Sequence, residues 1–484
     1  MSWDVRVVRD RYADSVRLMG VARGIRGREG VEACEVAMGT AANLEALAAL
    51  GVTVDAGPGD VVIAVRAGDG GVRAAALADA EAGLTGPSAP AGGGDAAEER
   101  PRTLTAAVAA AGGANVALVS VPGEYATLES HRALGAGLHV FLFSDHVSLE
   151  DEVALKRRGE REGLLVMGPG CGTAMLGGVG LGFMNVVRRG PVGIVAAAGT
   201  GAQEAACLLE AAGAGVSQIV GVGGRDLSAE VGGIMFRQGM RMLAEDPATE
   251  TLLLVSKPPA PEVVRGLADA VPPGVRVLAA FVGWEGGPAP FEVHATLEAG
   301  AYAAAGVAPP APPAPPDDAP WRAARGRALL ALYSGGSLAH EALTILEPAL
   351  GAVAGNVAHH PGDGPNTVLD LGEEEYTRGR PHPMVDLTVR LEMLERAGRD
   401  EGVGCVLLDV VLGHGAHPDP ASELAPALAA LTGRIPVVAH VCGTAADPQD
   451  LHRQETRLRE AGVLTCASNA AAARLAAAAV TGAA

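Results

Sequence analysis

Gly193-Ile194-Val195-Ala196-Ala197-Ala198-Gly199-Thr200-Gly201-Ala202-Gln203-Glu204 and, further along, Ala328-Leu329-Leu330-Ala331-Leu332-Tyr333-Ser334-Gly335-Gly336-Ser337-Leu338-Ala339-His340-Glu341 share one plan. Each is a short apolar run, then a loop of Gly, Ser or Thr, then the start of an Ala/Leu-rich helix. Such a start carries unpaired backbone N–H groups and the positive end of the helix dipole. Glycine lets an anion approach the backbone, and a hydroxyl adds a donor. One loop of this kind is a weak signal. Two in one chain point to two helix N-termini converging on one phosphate or acyl phosphate. The competing reading is two ordinary strand-to-helix turns whose Thr and Ser serve as helix caps.

The segments downstream of the two units repeat as well. After the first come apolar runs at 218–222, 251–256 and 275–282, with helices between them. After the second come runs at 367–371, 403–412 and 435–441 in the same order. Apolar runs alternating with helices predict parallel sheets covered on both faces. We therefore expect an α/β protein with two flavodoxin-like domains, 190–307 and 321–484. A proline-rich spacer, Ala308 to Pro320 (APPAPPAPPDDAP), joins them. Residues 1–188 carry further alternating segments, with strands expected at 60–66, 116–121, 140–144 and 164–167, and read as a Rossmann-like domain. Thr85 to Arg102 (TGPSAPAGGGDAAEERPR) is Gly/Pro/Ala-rich without periodicity and is expected to be a mobile loop.

At 484 residues the chain has room for about three domains. Hydrophobic residues make up 49% but aromatics only 3%, so the cores must be built from Ala, Val and Leu. A formal net charge of −19 argues against nucleic acid and anionic membranes as partners. No basic-apolar-small leader pattern and no bilayer-length apolar run stands out, which sets a cytoplasmic expectation. The six cysteines (Cys34, Cys171, Cys207, Cys405, Cys442 and Cys466) form no CxxC pair and read as reduced thiols, with no metal site expected. Cys171 and Cys442 stand beside glycine, but buried inert thiols are the commoner case.

Several segments resemble a known family. Val121-Pro122-Gly123-Glu124, Met167-Gly168-Pro169-Gly170-Cys171-Gly172, Gly221-Val222-Gly223-Gly224-Arg225-Asp226 and Asp246-Pro247-Ala248-Thr249 are similar to the α subunit of succinyl-CoA synthetase. Over nearly its full length the chain more closely resembles the FdrA-type proteins of that superfamily. The segments that carry this are Tyr12-Ala13-Asp14-Ser15-Val16, Met38-Gly39-Thr40, Tyr333-Ser334-Gly335-Gly336, Gly379-Arg380-Pro381-His382-Pro383-Met384, Leu408-Asp409-Val410-Val411-Leu412-Gly413 and Asp447-Pro448-Gln449.

The departures from the synthetases bear on chemistry. Where they hold CoA in a glycine-rich turn, this chain has Arg9-Asp10-Arg11-Tyr12-Ala13-Asp14-Ser15. Where they phosphorylate a histidine, it has Val282-Gly283-Trp284-Glu285-Gly286-Gly287. Where a glutamate orients that histidine, it has Val255-Ser256-Lys257-Pro258-Pro259. No ATP-grasp domain is present. The resemblance to FdrA-type proteins implies a subunit of a carbamoyltransferase that converts carbamoyl-oxamate and phosphate into oxamate and carbamoyl phosphate in purine breakdown, alongside other subunits. Phosphate is then a substrate, with no certain cofactor, and CoA is not carried over. An NDP-forming acyl-CoA ligase subunit and a non-catalytic scaffold are the alternatives.

The expected phosphate site is Gly199, Thr200, Gly201, Ser334, Gly335, Gly336 and Ser337. Arg378, Arg380 and His382, in a proline-rigidified loop, read either as a clamp for an oxamate-like carboxylate or as surface. His414 and His417 are candidates for acid–base work. Lys257, at a strand end, reads as a cation for phosphate or the leaving group, or as a snorkelling surface lysine. Asp14, Ser15 and Asn43 match the family without a mechanism, and His359-His360 reads as a turn.

Overall fold

The computed structural model describes residues 3–11, 13, 15–85, 101–271, 273–357, 364–377 and 380–482. Asp14, Arg378, His359-His360 and most of the loop expected at 85–102 lie outside these residues. Two compact units are present: residues 1–99 with 377–381, and residues 100–376 with 382–484.

The first unit is built on three strands, Trp3–Val8, Val31–Met38 and Val61–Ala67. The last lies in the centre, antiparallel to both neighbours. Its residues alternate between two small cores. Val61, Ile63 and Val65 face the helices Ser15–Arg26 and Gly70–Thr85, while Val62 and Ala64 face the helix Ala41–Ala49. Asn43 serves that last helix: its side chain donates to Met38 O (2.9 Å), and its N–H donates to the capping Thr40.

The expectation of one Rossmann-like domain over 1–188 is therefore corrected. Alternating strands and helices do not specify strand direction, and here the N-terminal sheet is antiparallel. The parallel Rossmann-like part begins only in the second unit. It has the strands Val116–Val119, His139–Leu142 and Val166–Met167, with helices Gly123–Gly135 and Leu149–Glu162 between them. The next segment, Thr173–Leu176 and Val179–Gly182, is a hairpin turning at Gly177-Gly178, where both glycines have positive φ. It joins the sheet of the first flavodoxin-like domain rather than the Rossmann-like one.

The two flavodoxin-like domains are as expected. In the first, the parallel strands lie in the order Glu292–His294, Arg276–Phe281, Thr251–Ser256, Arg189–Ala196, Val216–Gly221. In the second the order is Val353–Gly355, Asn366–Asp370, Ala328–Tyr333, Val403–Val411, Val437–Cys442, Leu464–Cys466. Apart from the short Val353–Gly355 edge strand, both follow the 2-1-3-4-5 order of doubly wound sheets. Residues 308–317 have no regular structure before Asp318 caps the helix Ala319–Ala324.

One apolar core runs across both domains. The helices Gly199–Ala211 and Leu297–Ala305 of the first pack with Gly336–Leu350 and Asn469–Thr481 of the second. The contact is lined by small residues, among them Ala202, Ala206, Ala339, Ala342, Ala472 and Ala476, all fully buried. This is where the alanine-rich, aromatic-poor composition is spent: short side chains let helix axes approach closely. Among the described residues no helix is long and apolar enough to cross a membrane.

Candidate functional site

The two glycine-rich helix starts, at Gly199 and Gly336, lie against each other. A Cβ on Gly335 would overlap Thr200, with its Oγ1 at 2.7 Å. A Cβ on Gly201 would stand 3.4 Å from that of Ser337. Glycine at both positions is thus what allows the approach.

The helices are not capped in the ordinary way. The N-caps are Ala198 and Gly335, neither of which has a capping side chain. Elsewhere the chain caps helices as expected, with Thr103, Ser148, Thr296 and Ser468 each accepting a backbone N–H. Thr200 and Ser337 lie inside the first turn, buried, and their hydroxyls make no hydrogen bond with the described residues. The reading of these residues as simple caps is therefore removed.

Ser334 plays a different part from the one expected. Its N–H donates to both carboxylate oxygens of Asp409 (2.9 and 3.0 Å), and its hydroxyl donates to Asp409 Oδ1 (3.1 Å). Arg390 donates to that hydroxyl and to the same carboxylate oxygen, both at 2.7 Å, and also to Asp409 O. Arg390 and Asp409 are buried. Every polar group of Ser334 that could face an anion is thus used inward. Ser334 holds the loop; Gly335, Gly336 and Ser337 present it.

Lys257 is exposed at the end of the strand Thr251–Ser256 and makes no ion pair with the described residues. Its Nζ is 3.7 Å from the place a Cβ on Gly336 would take. It also acts on His340, which burial first and Lys257 second push down to about 4.

A residue the sequence reading passed over stands beside it. Asp370 ends the strand Asn366–Asp370 and is only 4% exposed. Its Oδ2 is 2.8 Å from the same Gly336 Cβ position. Burial, with smaller contributions from Glu373 and Asp409, pushes it up to about 7 against the pull of a Gly372 hydrogen bond and Lys257. The signal was available: aligning the two copies by strand end pairs Asp370 with Gly221, a substitution of acid for glycine at a strand terminus.

His382 is present here, but not as a cation. Its Nδ1 accepts the Met384 N–H (3.3 Å), which leaves the proton on Nε2. Burial pushes it down to about 4, and its ring packs on Phe183. It is a neutral donor, which corrects the expected cationic clamp. Arg380 is exposed and belongs to the first unit.

The other histidines are spent elsewhere. His417 is buried; its Nδ1 accepts the Asp419 N–H (3.1 Å) and its Nε2 meets Glu423 (2.9 Å), fixing the start of the helix Pro420–Thr432. His414 has an exposed side chain and uses its backbone in a bridge to Met184. Among the described residues neither hydrogen-bonds to Thr200, Ser337, Lys257 or Asp370. Cys171 is buried and pushed up to about 11 by that burial; Cys442 is pushed well above its ordinary value by contact with Cys207 and by burial. Neither has the exposed thiolate of a nucleophile.

Comparison with known proteins fits this anatomy. A family model described as CoA-ligase matches residues 332–479, and one described as AllF, heavy metal-associated domain, matches residues 1–101. The Escherichia coli K12 protein "Uncharacterized protein YahF" is 36% identical, over 97% of both chains. The chain belongs to the FdrA-type proteins of the CoA-ligase superfamily. This FdrA-type chain is also 30% identical to the Trichomonas vaginalis mitochondrial succinate–CoA ligase [ADP-forming] subunit alpha-2. That match spans 30% of this chain and about half (47%) of that subunit. The crystal structure of PH0766 from Pyrococcus horikoshii OT3 aligns at 14% identity and a TM-score of 0.29, over 76% of this chain and 83% of its own.

At the turn where the resemblance would seat CoA, the group this superfamily implies, the residues do not fit it. The turn after the first strand is Arg9-Asp10-Arg11 with no glycine, and that strand pairs antiparallel in the first unit. CoA therefore enters no step of the chemistry derived from this site.

Proposed function

We propose that this FdrA-type chain is a carbamoyltransferase subunit, acting in the cytoplasm with partner subunits, that exchanges a carbamoyl group between an oxamate-like nitrogen and phosphate. The observation that carries the reading is the meeting of two uncapped helix starts. Their free N–H groups, the unspent hydroxyls of Thr200 and Ser337 and the ammonium of Lys257 lie close together. Two helix N-termini brought together favour a dianion. Thr200 and Ser337 are buried, which strengthens their interactions.

Phosphate held there is oriented for attack on a carbamoyl carbon. The charge that develops on the carbamoyl oxygen meets donors already in place, the main source of acceleration in acyl transfer. The loop after the strand Arg276–Phe281 carries Trp284, whose indole donates to Gly287 O, where a relay would need a histidine. This supports transfer without a phosphoenzyme.

Phosphorus NMR on the full chain with its co-purifying subunits, given phosphate and carbamoyl-oxamate without nucleotide, tests the reading. A carbamoyl phosphate resonance is expected. The second reading, an ADP-forming acyl-CoA ligase subunit, is favoured by the match of residues 332–479 to the CoA-ligase family. It predicts no resonance in that mixture, and ADP formation plus an acid-labile phosphohistidine once ATP, CoA and a small acid are supplied.

A further inference from the structure

We propose that Asp370 moves the proton in this reaction, taking it from the attacking phosphate and delivering it to the departing nitrogen, with His382 as a hydrogen-bond donor to the leaving group. This rests on the phosphate reading of the two helix starts.

The geometry is specific to one carboxylate oxygen. Asp370 Oδ1 accepts the Gly372 N–H at 2.8 Å, which fixes the side chain. Oδ2 accepts no hydrogen bond from the described residues and points at Gly336, the first residue of the helix. A Cβ at 336 would stand 2.8 Å from it, so a larger residue there would push this oxygen aside. Buried carboxylates are ordinarily paired or hydrogen-bonded through both oxygens. An oxygen left open beside an anion site has a use there.

The groups that face Asp370 come from four places: Lys257 from the first domain, Glu373 after its own strand, Asp409 from the strand Val403–Val411 on the far side of Ala328–Tyr333, and His382 from the loop after residue 381. His382 Nε2 and Asp370 Oδ1 are 3.2 and 3.0 Å from the position a Cβ on Gly372 would take, so they flank one glycine. Burial, which raises Asp370 to about 7, matches it to proton transfer near neutral pH.

The step balances without a further reactant. An oxygen of HPO4²⁻ forms a bond to the carbamoyl carbon. The bond from that carbon to the oxamate nitrogen breaks, and its electron pair goes to the nitrogen. The proton lost by phosphate passes to Asp370 and from it to that nitrogen. The carboxylate is regenerated, and the products are carbamoyl phosphate and a neutral amide group. His382, neutral with its proton on Nε2, donates to the carbonyl of the departing amide without supplying charge.

The test compares wild type with Asp370→Asn and Asp370→Glu in the same full-chain complex. It measures phosphate affinity by calorimetry and carbamoyl phosphate formation by phosphorus NMR. We expect Asp370→Asn to bind phosphate within threefold of wild type while kcat falls by about 100-fold or more. We also expect it to lose the limb of kcat that rises through about pH 7. Asp370→Glu, which keeps the acid, is expected to recover part of kcat and that limb. Full activity in Asp370→Asn, or an unchanged pH profile, overturns the proposal. So does loss of phosphate binding in proportion to kcat in both variants, since that is the signature of a structural residue. If wild type itself makes no carbamoyl phosphate, the reading of the site fails and Asp370 falls with it. If wild type is active and the variants are too, only Asp370 falls.

Discussion

In the first flavodoxin-like domain the strand beside the helix start ends in Gly221; in the second it ends in Asp370. The equivalence is fixed by hydrogen bonding, because Val222 N–H donates to Ala196 O and Leu371 N–H donates to Tyr333 O (2.8 and 2.9 Å). A Cβ on Gly221 would be 2.6 Å from Cys171 Sγ, and the space in front of it is a cavity of about 20 Å³ lined by Gly170, Cys171, Gly199, Gly221 and Gly223. On that side the cavity is lined largely by glycine backbone. On the other side the same strand end carries an acid beside a lysine and a neutral histidine. The two helix starts are alike, and the strand ends beside them differ in that only the second carries titratable side chains.

A second pair of equivalent positions diverges inside the interface. Glu204 and Glu341 each lie five residues into their helix. Each reaches across to the first N–H of the other domain's last helix: Glu204 to Asn469 (3.2 Å), Glu341 to Leu297 (2.6 Å). The two domains thus help to cap each other's helices. Glu204 is in addition paired with His440 (2.7 Å), whereas the further partner of Glu341 is the neutral Asn469 side chain (2.8 Å). Burial opposes the charge on His440, but Glu204 outweighs it and lifts His440 to about 9. Burial and the nearby Glu204 push Glu341 up to about 7.

The comparison can be broken at several points. The largest effect is expected from Ser337→Asp, which sets a negative charge between the two helix starts. It should abolish phosphate binding in calorimetry and lower product formation by at least about 100-fold. A scaffold role requires activity of the complex to be untouched by it.

Next comes Glu204→Ala. It strands His440 and frees the Asn469 N–H in a buried site, so stability measured by urea unfolding should drop by about 3–5 kcal/mol. Glu341→Ala, with no charged partner to strand, should cost less. Equal losses would show that the asymmetry between the two positions carries no weight.

The smallest effects concern pH. His440 has a folded value above the unfolded one, so its contribution is complete below about 6.5 and is lost as pH rises through about 9. Glu341, also raised, makes stability fall as pH rises from about 4.5 to about 7. Unfolding midpoints should therefore decline across both windows. His440→Gln should flatten the upper window and Glu341→Gln the lower, and a variant that flattens the wrong one contradicts the assignment.

Much of this was readable from residues alone. The paired loops, the repeated strand order and the proline-rich join reflect local chemistry that a sequence carries directly. Strand direction at the N-terminus does not, because the pairing of residues 3–8 with 61–67 is a tertiary choice between apolar runs. The hairpin at 173–182 could have been found from Gly177-Gly178 between two apolar stretches. The inward turn of Ser334 could not, since it depends on Arg390 and Asp409, 56 and 75 residues away. The histidines misled for a related reason: their type suits catalysis, and only their partners show that His417 fixes a helix start while His382 is neutral.

Titrating inorganic phosphate into the full chain by calorimetry tests the meeting of the two helix starts most directly. One phosphate per chain is predicted, competed by carbamoyl phosphate, with affinity lowered by Thr200→Ala and by Ser337→Ala at that same single site. Two independent phosphates, each sensitive to one variant, or no binding at all, would contradict it.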